Sequence, residues 1–283
     1  MKLAVISDIH ANYKAFEAFW EYARAEQPDG IICLGDYVTD CPYPQRTLGL
    51  LYAMMEEFPC YMVRGNREEY LIQDFYEPQG WKPFTPTGSL HYTMQHIKEE
   101  DIRFFESLDI CGRVEIEGYP ALTICHGSPR ESRGNFELEP SLKDACMKVL
   151  DTEYLIGGHS HHQEVDRLYG KTYVNPGALG MAIDFVGRRA QFAMLHGVHR
   201  DGRASWEPEL LSIPYDVDGL LKGFEESGLN QCGTLLTRAT RKTLVTGINY
   251  FLQFVTEVER LSGKPAAVTE EAILQQVAER LGI

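Results

Sequence analysis

No stretch of this 283-residue sequence stays apolar for the ~18 residues that a membrane-crossing helix needs, so no membrane partner is expected. A basic surplus is missing too: 41 acidic side chains stand against 27 basic ones, a formal charge of -14. Proteins that grip nucleic acid by its phosphates need the opposite balance, so nucleic acid is not an expected partner and a nuclease is disfavoured. A small phosphorylated substrate stays open, because bound cations can invert the local sign of a site. The seven cysteines are an odd number with no Cys-x-x-Cys spacing, which excludes a disulfide framework and a zinc knuckle. Cys33, Cys60 and Cys125 sit in or beside apolar runs, where cysteine acts as a small hydrophobe. The first residues offer one lysine and a few apolar side chains before Asp8, too little for a signal peptide, and a cytoplasmic location is expected. The 44% hydrophobic and 24% charged composition is that of a globular chain long enough to bury its own core.

What the sequence does have is histidine at one place. Three of its nine histidines fall in Gly158-His159-Ser160-His161-His162, after the apolar run Glu153 to Gly157. Read as extended backbone continuing a strand, His159 and His161 would aim at one point, as transition-metal ligands do. Elsewhere, buried strands are predicted over Leu3–Ile6, Gly30–Leu34 and Cys60–Val63, each followed by a loop and a helix. Repeated β-then-α units imply a parallel core sheet with these loops along one edge. The loops carry Asp8 with His10, Asp36 and Asn66; Asn12 is the better cap for the helix beginning near Phe16.

Residues 77–89 read as a surface connection or a lid, feeding a helix at Leu90–Ile97, with a further helix around Asp101–Leu108. Two strands follow, near Arg113–Ile116 and Leu122–Cys125, the second ending at His126. A helix Ser141–Leu150 leads to the histidine cluster. Later strands are expected at Thr172–Gly177, Gln191–Leu195 and Trp206–Ile213. From Asp216 the pattern is helical. Leu220, Leu221 and Phe224 share one face; Leu244, Ile248, Phe251, Val255, Val258 and Leu261 fit one longer stripe; Thr269 is placed to cap a last helix.

The polar residues at strand ends are thus Asp8, His10, Asp36, Asn66, His126, His159 and His161. Seven oxygen and nitrogen donors without a thiolate suit two divalent ions of the manganese, iron or zinc type. One carboxylate must then bridge, and Asp36, standing alone between the flanking groups, is the natural choice.

The blocks Asp8-Ile9-His10, Gly35-Asp36-x-x-Asp40, Gly65-Asn66-Arg67-Glu68, His126-Gly127 and Gly158-His159-Ser160-His161 resemble, in that order, the calcineurin-like metallophosphoesterases. The small bacterial and archaeal branch is the better match, because Asn175-Pro176-Gly177 also recurs there. The resemblance spans residues 1–213 and implies an α/β fold: a two-sheet β-sandwich flanked by helices. Residues 214–283 lie outside it, and their apolar pattern makes them a helical extension packed on the core or on a second subunit. It implies that Asp8, His10 and His161 hold one metal and Asn66, His126 and His159 the other, with Asp36 bridging. His159 and His161 would then face different ions. The implied activity is hydrolysis of phosphoester or phosphoanhydride bonds by a metal-bridging hydroxide, without a covalent intermediate. A protein or cyclic-nucleotide phosphoesterase, or a non-catalytic scaffold, are the alternatives.

One departure from the family block bears on substrate. The usual histidine after Gly-Asn is Arg67, which cannot donate a proton but can bind phosphate in a bidentate fork. A leaving group that needs little protonation is therefore expected, as in dinucleoside polyphosphates or aryl phosphoesters. Arg130 and His162 are further candidates for contact with substrate, His162 for leaving-group chemistry.

Overall fold

The protein is described by a computed structural model over residues 1–266 and 269–283. Ten strands form two sheets that face one another. The first holds β1 (Lys2–Ile6), β2 (Gly30–Cys33), β3 (Cys60–Met62), β9 (Arg189–Arg200) and β10 (Arg203–Pro214) in the order β10-β9-β1-β2-β3. The second holds β4 (Cys111–Val114), β5 (Leu122–Cys125), β6 (Tyr154–Ile156), β7 (Gln163–Leu168) and β8 (Lys171–Pro176) in the order β4-β5-β6-β8-β7.

Both sheets are mixed, which corrects the expectation of a parallel core sheet. β1, β2 and β3 are parallel, as are β5, β6 and β8, but β9, β10, β4 and β7 run antiparallel to their neighbours. Two hairpins account for most of the difference. Asp201 and Gly202 turn β9 into β10 with φ of 50° and 79°, and Tyr169 and Gly170 turn β7 into β8 with φ of 55° and 74°. Paired positive φ values make tight turns that match strand twist. The expected strands near Gln191 and Trp206 are parts of a longer hairpin, the first buried and the second mostly half-buried apart from Trp206. β7 has no counterpart in the sequence reading because Glu164, Asp166 and Arg167 alternate along an edge strand with little apolar content.

Alternation along β1 explains the layering. Leu3 and Val5 point between the sheets with Ile32, Leu34, Ile124, Ile156 and Val174; Ala4 and Ile6 point outward onto Phe16, Phe19 and Leu51 of the covering helices. Burying each such large side chain is worth about 1.5–3 kcal/mol. The cover is α1 (Tyr13–Glu26) and α2 (Pro44–Glu57), with α3 (Asn66–Tyr76), α4 (Gly88–His96) and α5 (Glu99–Ser107) beside them; α6 (Pro140–Val149) lies against the second sheet. Asn12 caps α1, its side-chain oxygen accepting from the Ala15 N–H at 3.0 Å.

The C-terminal stretch forms α7 (Val217–Glu226), α8 (Leu229–Thr246), α9 (Tyr250–Ser262) and α10 (Glu271–Leu281). The single stripe expected from Leu244 to Leu261 is two helices. Gly247 takes a left-handed φ of 68°, and Asn249 caps α9 by accepting from the Leu252 N–H at 2.9 Å. Thr269 is not the cap of α10: Glu270 holds that position, and the Thr269 hydroxyl donates to the Pro265 carbonyl at 2.9 Å. These helices pack on the rest of the chain. Leu220 and Phe224 of α7 join the main core, and the Cys232 carbonyl accepts from the Phe84 N–H at 2.8 Å. Segment 77–89 is thus moored to α8, and none of its residues lines the metal cleft described below.

Candidate metal centre

Five strand ends deliver the polar side chains to one edge of the sandwich. β1 ends in Asp8 and His10, β2 in Asp36, β3 in Asn66, β5 in His126, and β6 in His159 and His161. The backbone there is not extended. Asp8, His10, Asp36, His159 and His161 have φ of 55°, 49°, 55°, 67° and 60°, left-handed values that cost a non-glycine residue about 1–2 kcal/mol each. Strand-like alternation therefore does not aim the two histidines; a sharply coiled loop does.

Main-chain hydrogen bonds hold these loops together. The N–H groups of Asp8, His10 and Ala11 donate to the carbonyls of Gly35, Asp36 and Tyr37 at 3.0, 2.9 and 3.0 Å, so the first two loops rise as one unit. Gly158 N–H donates to the His126 carbonyl at 2.7 Å, tying the second-sheet loops together. A Cβ on Gly158 would stand 2.0 Å from Ser7 Oγ, and one on Gly65 would stand 2.2 Å from Asp36 Oδ1. Glycine is required at both positions because ligand loops cross there.

The side chains fall into two groups: Asp8, His10 and His161, and Asp36, His126 and His159. Within each, one ligand atom per residue lies within 4.8 Å of the others. Asn66 joins the second group, its Oδ1 lying 3.1 Å from His126 Nε2. Asp36 Oδ2 stands between the groups, 3.5 Å from His126 Nε2 and 3.8 Å from His10 Nε2. All seven residues picked from the sequence thus come together, and the two histidines of the cluster fall into different groups.

Three of the four rings are contacted from behind. His126 Nδ1 donates to the Leu34 carbonyl at 2.8 Å and His161 Nδ1 to the Met181 carbonyl at 2.9 Å. His10 Nδ1 lies 3.2 Å from Asp40 Oδ2, a contact of opposite charges more than an aligned hydrogen bond. Protons on Nδ1 leave the Nε2 lone pairs pointing inward, the usual second-shell arrangement around a metal.

Burial disfavours every charge here, and the balance of contacts decides each proton. Burial pulls the His10 imidazole down, but Asp40, Asp8 and Asp36 outweigh it and raise its pKa to about 10. His126 is likewise raised to about 9, Asp36 and Asp8 prevailing over burial. His159 is lowered to about 4 by burial and by His126, so it stays neutral and ligand-ready. Burial pushes Asp36 up, yet His126 and His10 hold it down at about 2.

Two residues of the recognised blocks had no role in the sequence reading. Glu68, fully buried, accepts from the N–H groups of Asp36, Gly65 and Tyr37 at 2.8, 2.8 and 2.9 Å, fixing the Asp36 loop from below. Burial and the Asp36 charge raise its pKa to about 7. Asp40 contacts both His10 and Arg67, with Arg67 Nη2 at 3.0 Å. The signal for both lay inside the quoted blocks, since a carboxylate beside a ligand is a plausible orienter.

The three substrate candidates separate. Arg67 lines the cleft above the two groups, its backbone N–H donating to Asp36 Oδ1 at 2.8 Å. His162 sits on the cleft rim with Nδ1 3.2 Å from Glu137 Oε1. Arg130 is not in this cleft: it lines a separate cavity with Cys111, Arg113 and Cys146, because the chain turns away after Ser128. The cleft itself, of about 580 Å³, is walled partly by residues the sequence did not mark, among them Arg133, Phe185, Ile248 and Phe251.

The donor set fits metal ions. Asp8 Oδ1 is buried and accepts no hydrogen bond, although it lies 3.2 Å from His161 Nε2 and 3.6 Å from His10 Nε2. An ionised oxygen left so would cost several kcal/mol without a cation. Oxygen and imidazole donors without sulfur suit manganese, iron or zinc.

The profile of the calcineurin-like phosphoesterase superfamily domain matches residues 1–199. An uncharacterized protein of Methanocaldococcus jannaschii is 24% identical over 234 residues, covering 76% of this chain and 88% of that protein. Among solved structures, a metallophosphoesterase from Sphaerobacter thermophilus superposes with a TM-score of 0.63 at 23% identity, over 88% of this chain and all of that one. A hypothetical protein from Pyrococcus horikoshii OT3 gives a TM-score of 0.72 at 19% identity, over 87% and 98% of the two chains. Both solved structures share the fold of this chain.

Proposed function

The chain belongs to the calcineurin-like phosphoesterase superfamily, and from that footing we propose that it is a two-metal hydrolase of small phosphoesters or phosphoanhydrides. Asp8, His10 and His161 would hold one ion, Asn66, His126 and His159 the other, and Asp36 would contact both. Two manganese, iron or zinc ions at these positions would bring a water's pKa toward neutrality and neutralise charge on the phosphoryl oxygens.

The observation that carries this reading is the facing of acceptors across each group. His10 Nε2 and His161 Nε2 are 3.1 Å apart, and His126 Nε2 and Asn66 Oδ1 are 3.1 Å apart. With Nδ1 protonated on both rings, the lone pairs of His10 and His161 meet, an arrangement that needs a proton or a cation between them; a proton on His126 Nε2 fills the second contact until a metal displaces it.

The protein's own groups then divide the work. Asp40 and Glu68 keep His10 and Asp36 in position. Arg67 donates to a phosphoryl oxygen from the cleft wall. Fixed as a cation, it cannot protonate the leaving oxygen, which favours phosphate or aryloxide leaving groups over alkoxides. His162, paired with Glu137 at the rim, is the group within the cleft able to deliver a proton at its free Nε2. A cleft of about 580 Å³ suits a small phosphorylated molecule such as a dinucleoside polyphosphate or an aryl phosphoester.

The test is a panel of phosphoesters and phosphoanhydrides assayed with protein reconstituted in manganese, iron or zinc, with metal content measured alongside. Hydrolysis that follows metal occupancy is expected. Protein holding two ions per chain and turning over nothing in the panel would point to a metal-binding scaffold.

No helix among the described residues is long and apolar enough to cross a membrane.

A further inference from the structure

The cleft above the metal positions has two unlike sides, and neither belongs to the ligand set. One side is cationic. Arg67 is already engaged, its Nη2 3.0 Å from Asp40 and its side chain 15% exposed. Arg133 is not: its guanidinium lies 4.4 Å from the Tyr70 ring centroid, and it has no ion-pair partner among the described residues. It is exposed, lines the cleft, and follows directly on the loop that carries His126. That loop is tightly folded. Ser128 N–H donates to the Glu131 carbonyl at 2.9 Å, and a Cβ on Gly127 would stand 2.7 Å from the Gly134 nitrogen. Arg133 is thus presented on a compact turn with its donors free.

The other side is apolar and comes from the C-terminal helices and the loop they hold. Phe251, in the first turn of α9, has its ring 5.7 Å from the Arg67 guanidinium, one side chain away from Asp36. Ile248 and Leu252 flank it in the cleft lining. Phe185, 72% exposed, also lines the cleft, on a turn pinned to the α8–α9 junction by the Phe185 N–H to Gly247 carbonyl bond at 3.1 Å. Asp184 Oδ1 accepts from the N–H groups of Val186 and Gly187 at 3.0 and 2.8 Å, which fixes the turn that displays the ring. Phe185 thereby adds a further aromatic ring to the apolar lining of the cleft.

We infer that Arg133 and Phe251 form a subsite for the non-reacting part of the substrate, a flat aromatic group joined to the reacting phosphate by an anionic linker, as in a nucleoside phosphate. This rests on the hydrolase reading above and narrows it. Phe251, with Phe185 and Ile248 around it, stacks on the flat group; Arg133, kept in place by Tyr70, pairs with the linker phosphate. Stacking of a base on an aromatic side chain commonly gives about tenfold or more in affinity, enough to dominate selectivity among substrates that share the same phosphates.

Equilibrium binding to the metal-loaded protein tests the subsite without any turnover. The probes are adenosine α,β-methylene diphosphate and methylenebisphosphonate, which share the phosphorus groups and differ by the nucleoside. Wild type should bind the nucleoside-bearing probe at least about tenfold more tightly, about 1.4 kcal/mol. Phe251→Ala should bring that ratio to within about threefold, with Phe251→Leu, which keeps the apolar volume, in between. Arg133→Gln should weaken both probes by about fivefold or more, less so at high salt. Thermal melts and metal content of each variant separate a lost subsite from a lost fold, and Phe251→Leu carries the test where Phe251→Ala melts early. Equal wild-type affinity for the two probes, or a ratio unmoved by Phe251→Leu and Phe251→Ala in folded protein, would overturn the inference. A protein that prefers the nucleoside probe yet hydrolyses nothing would instead overturn the hydrolase reading and leave the subsite intact.

Discussion

His10 Nε2 and His161 Nε2 stand 3.1 Å apart although 151 residues separate them in the chain. The Asp40 carboxylate, 3.2 Å from His10 Nδ1, favours a proton on that nitrogen, and the Met181 carbonyl accepts from His161 Nδ1 at 2.9 Å. The two inner nitrogens can therefore coexist only with a proton or a metal ion between them. On the proposed two-metal reading, metal and proton would compete for this one place.

Metal affinity should rise with pH. In the metal-free protein His10 and His126 are raised to about 10 and 9, above the ordinary histidine value of about 6.5. Each must lose its proton to ligate, so manganese affinity should improve by up to about tenfold per pH unit at each position between pH 7 and 9. Calorimetric titration across this range reads the slope. A flat profile would mean that these histidines are not ligands.

The metal-free protein should move the other way in stability. A histidine pKa raised on folding stabilises fully below about pH 6.5, and that contribution is lost as pH climbs through 9 to 10. The melting temperature of stripped protein is expected to fall from pH 7 to 10, while manganese-loaded protein holds nearly level. Parallel curves for the two forms would contradict the shared place.

Asp40→Asn removes the charge behind His10 and the partner of Arg67. Loss of such an outer-shell carboxylate commonly costs 10–100-fold in metal affinity. That loss should appear at the His10–His161 position first, giving protein with one tight and one weak ion. Two tight ions in Asp40→Asn would show that Asp40 does not orient the ligand.

Glu68→Ala leaves the N–H groups of Asp36, Gly65 and Tyr37 without their acceptor in a dry interior. About 3 kcal/mol or more of stability should go, lowering the melting temperature by roughly 5–10 °C for a chain of this size. Denaturant titration of Glu68→Ala and Glu68→Gln measures it. A wild-type midpoint for Glu68→Ala would mean that water replaces the carboxylate.

Arg67→His restores a side chain that can donate a proton. Wild type should turn over diadenosine tetraphosphate faster than an alkyl phosphate, and Arg67→His should narrow that gap by raising alkyl-ester hydrolysis. An alkyl ester hydrolysed faster by wild type would remove the leaving-group argument.

The candidate ligand set was legible because its members sit where an apolar run stops at a turn, glycine-flanked in every case but that of Asp8 and His10. Asp8, Asp36, Asn66, His126 and the His159–His161 pair all carry that local mark, and the fold brings the marks to one edge. How they point was not legible. The left-handed backbone at His159 and His161 depends on crossings such as Gly158 over Ser7, which join distant parts of the chain. Arg130 and Arg133 look alike in the sequence, and only the turn at Ser128–Gly134 sends one to the cleft and the other to a separate cavity. β7 and the break at Gly247 were missed for a common reason. Hydrophobic periodicity describes buried faces, and neither an edge strand nor a kink has one. Phe251 was visible only as one more member of a helical stripe.

The family profile ends at residue 199, whereas Ile248, Phe251 and Leu252 reach the cleft from beyond it. Relatives sharing only the matched domain inherit the ligand loops but not this wall. If the proposed subsite holds, part of the discrimination lies beyond the matched domain at Phe251, while Arg133 and Phe185 lie within it. A substrate established for one such relative would not transfer to this protein by domain similarity, and grafting residues 246–253 between relatives would be the shorter route to exchanging their preferences.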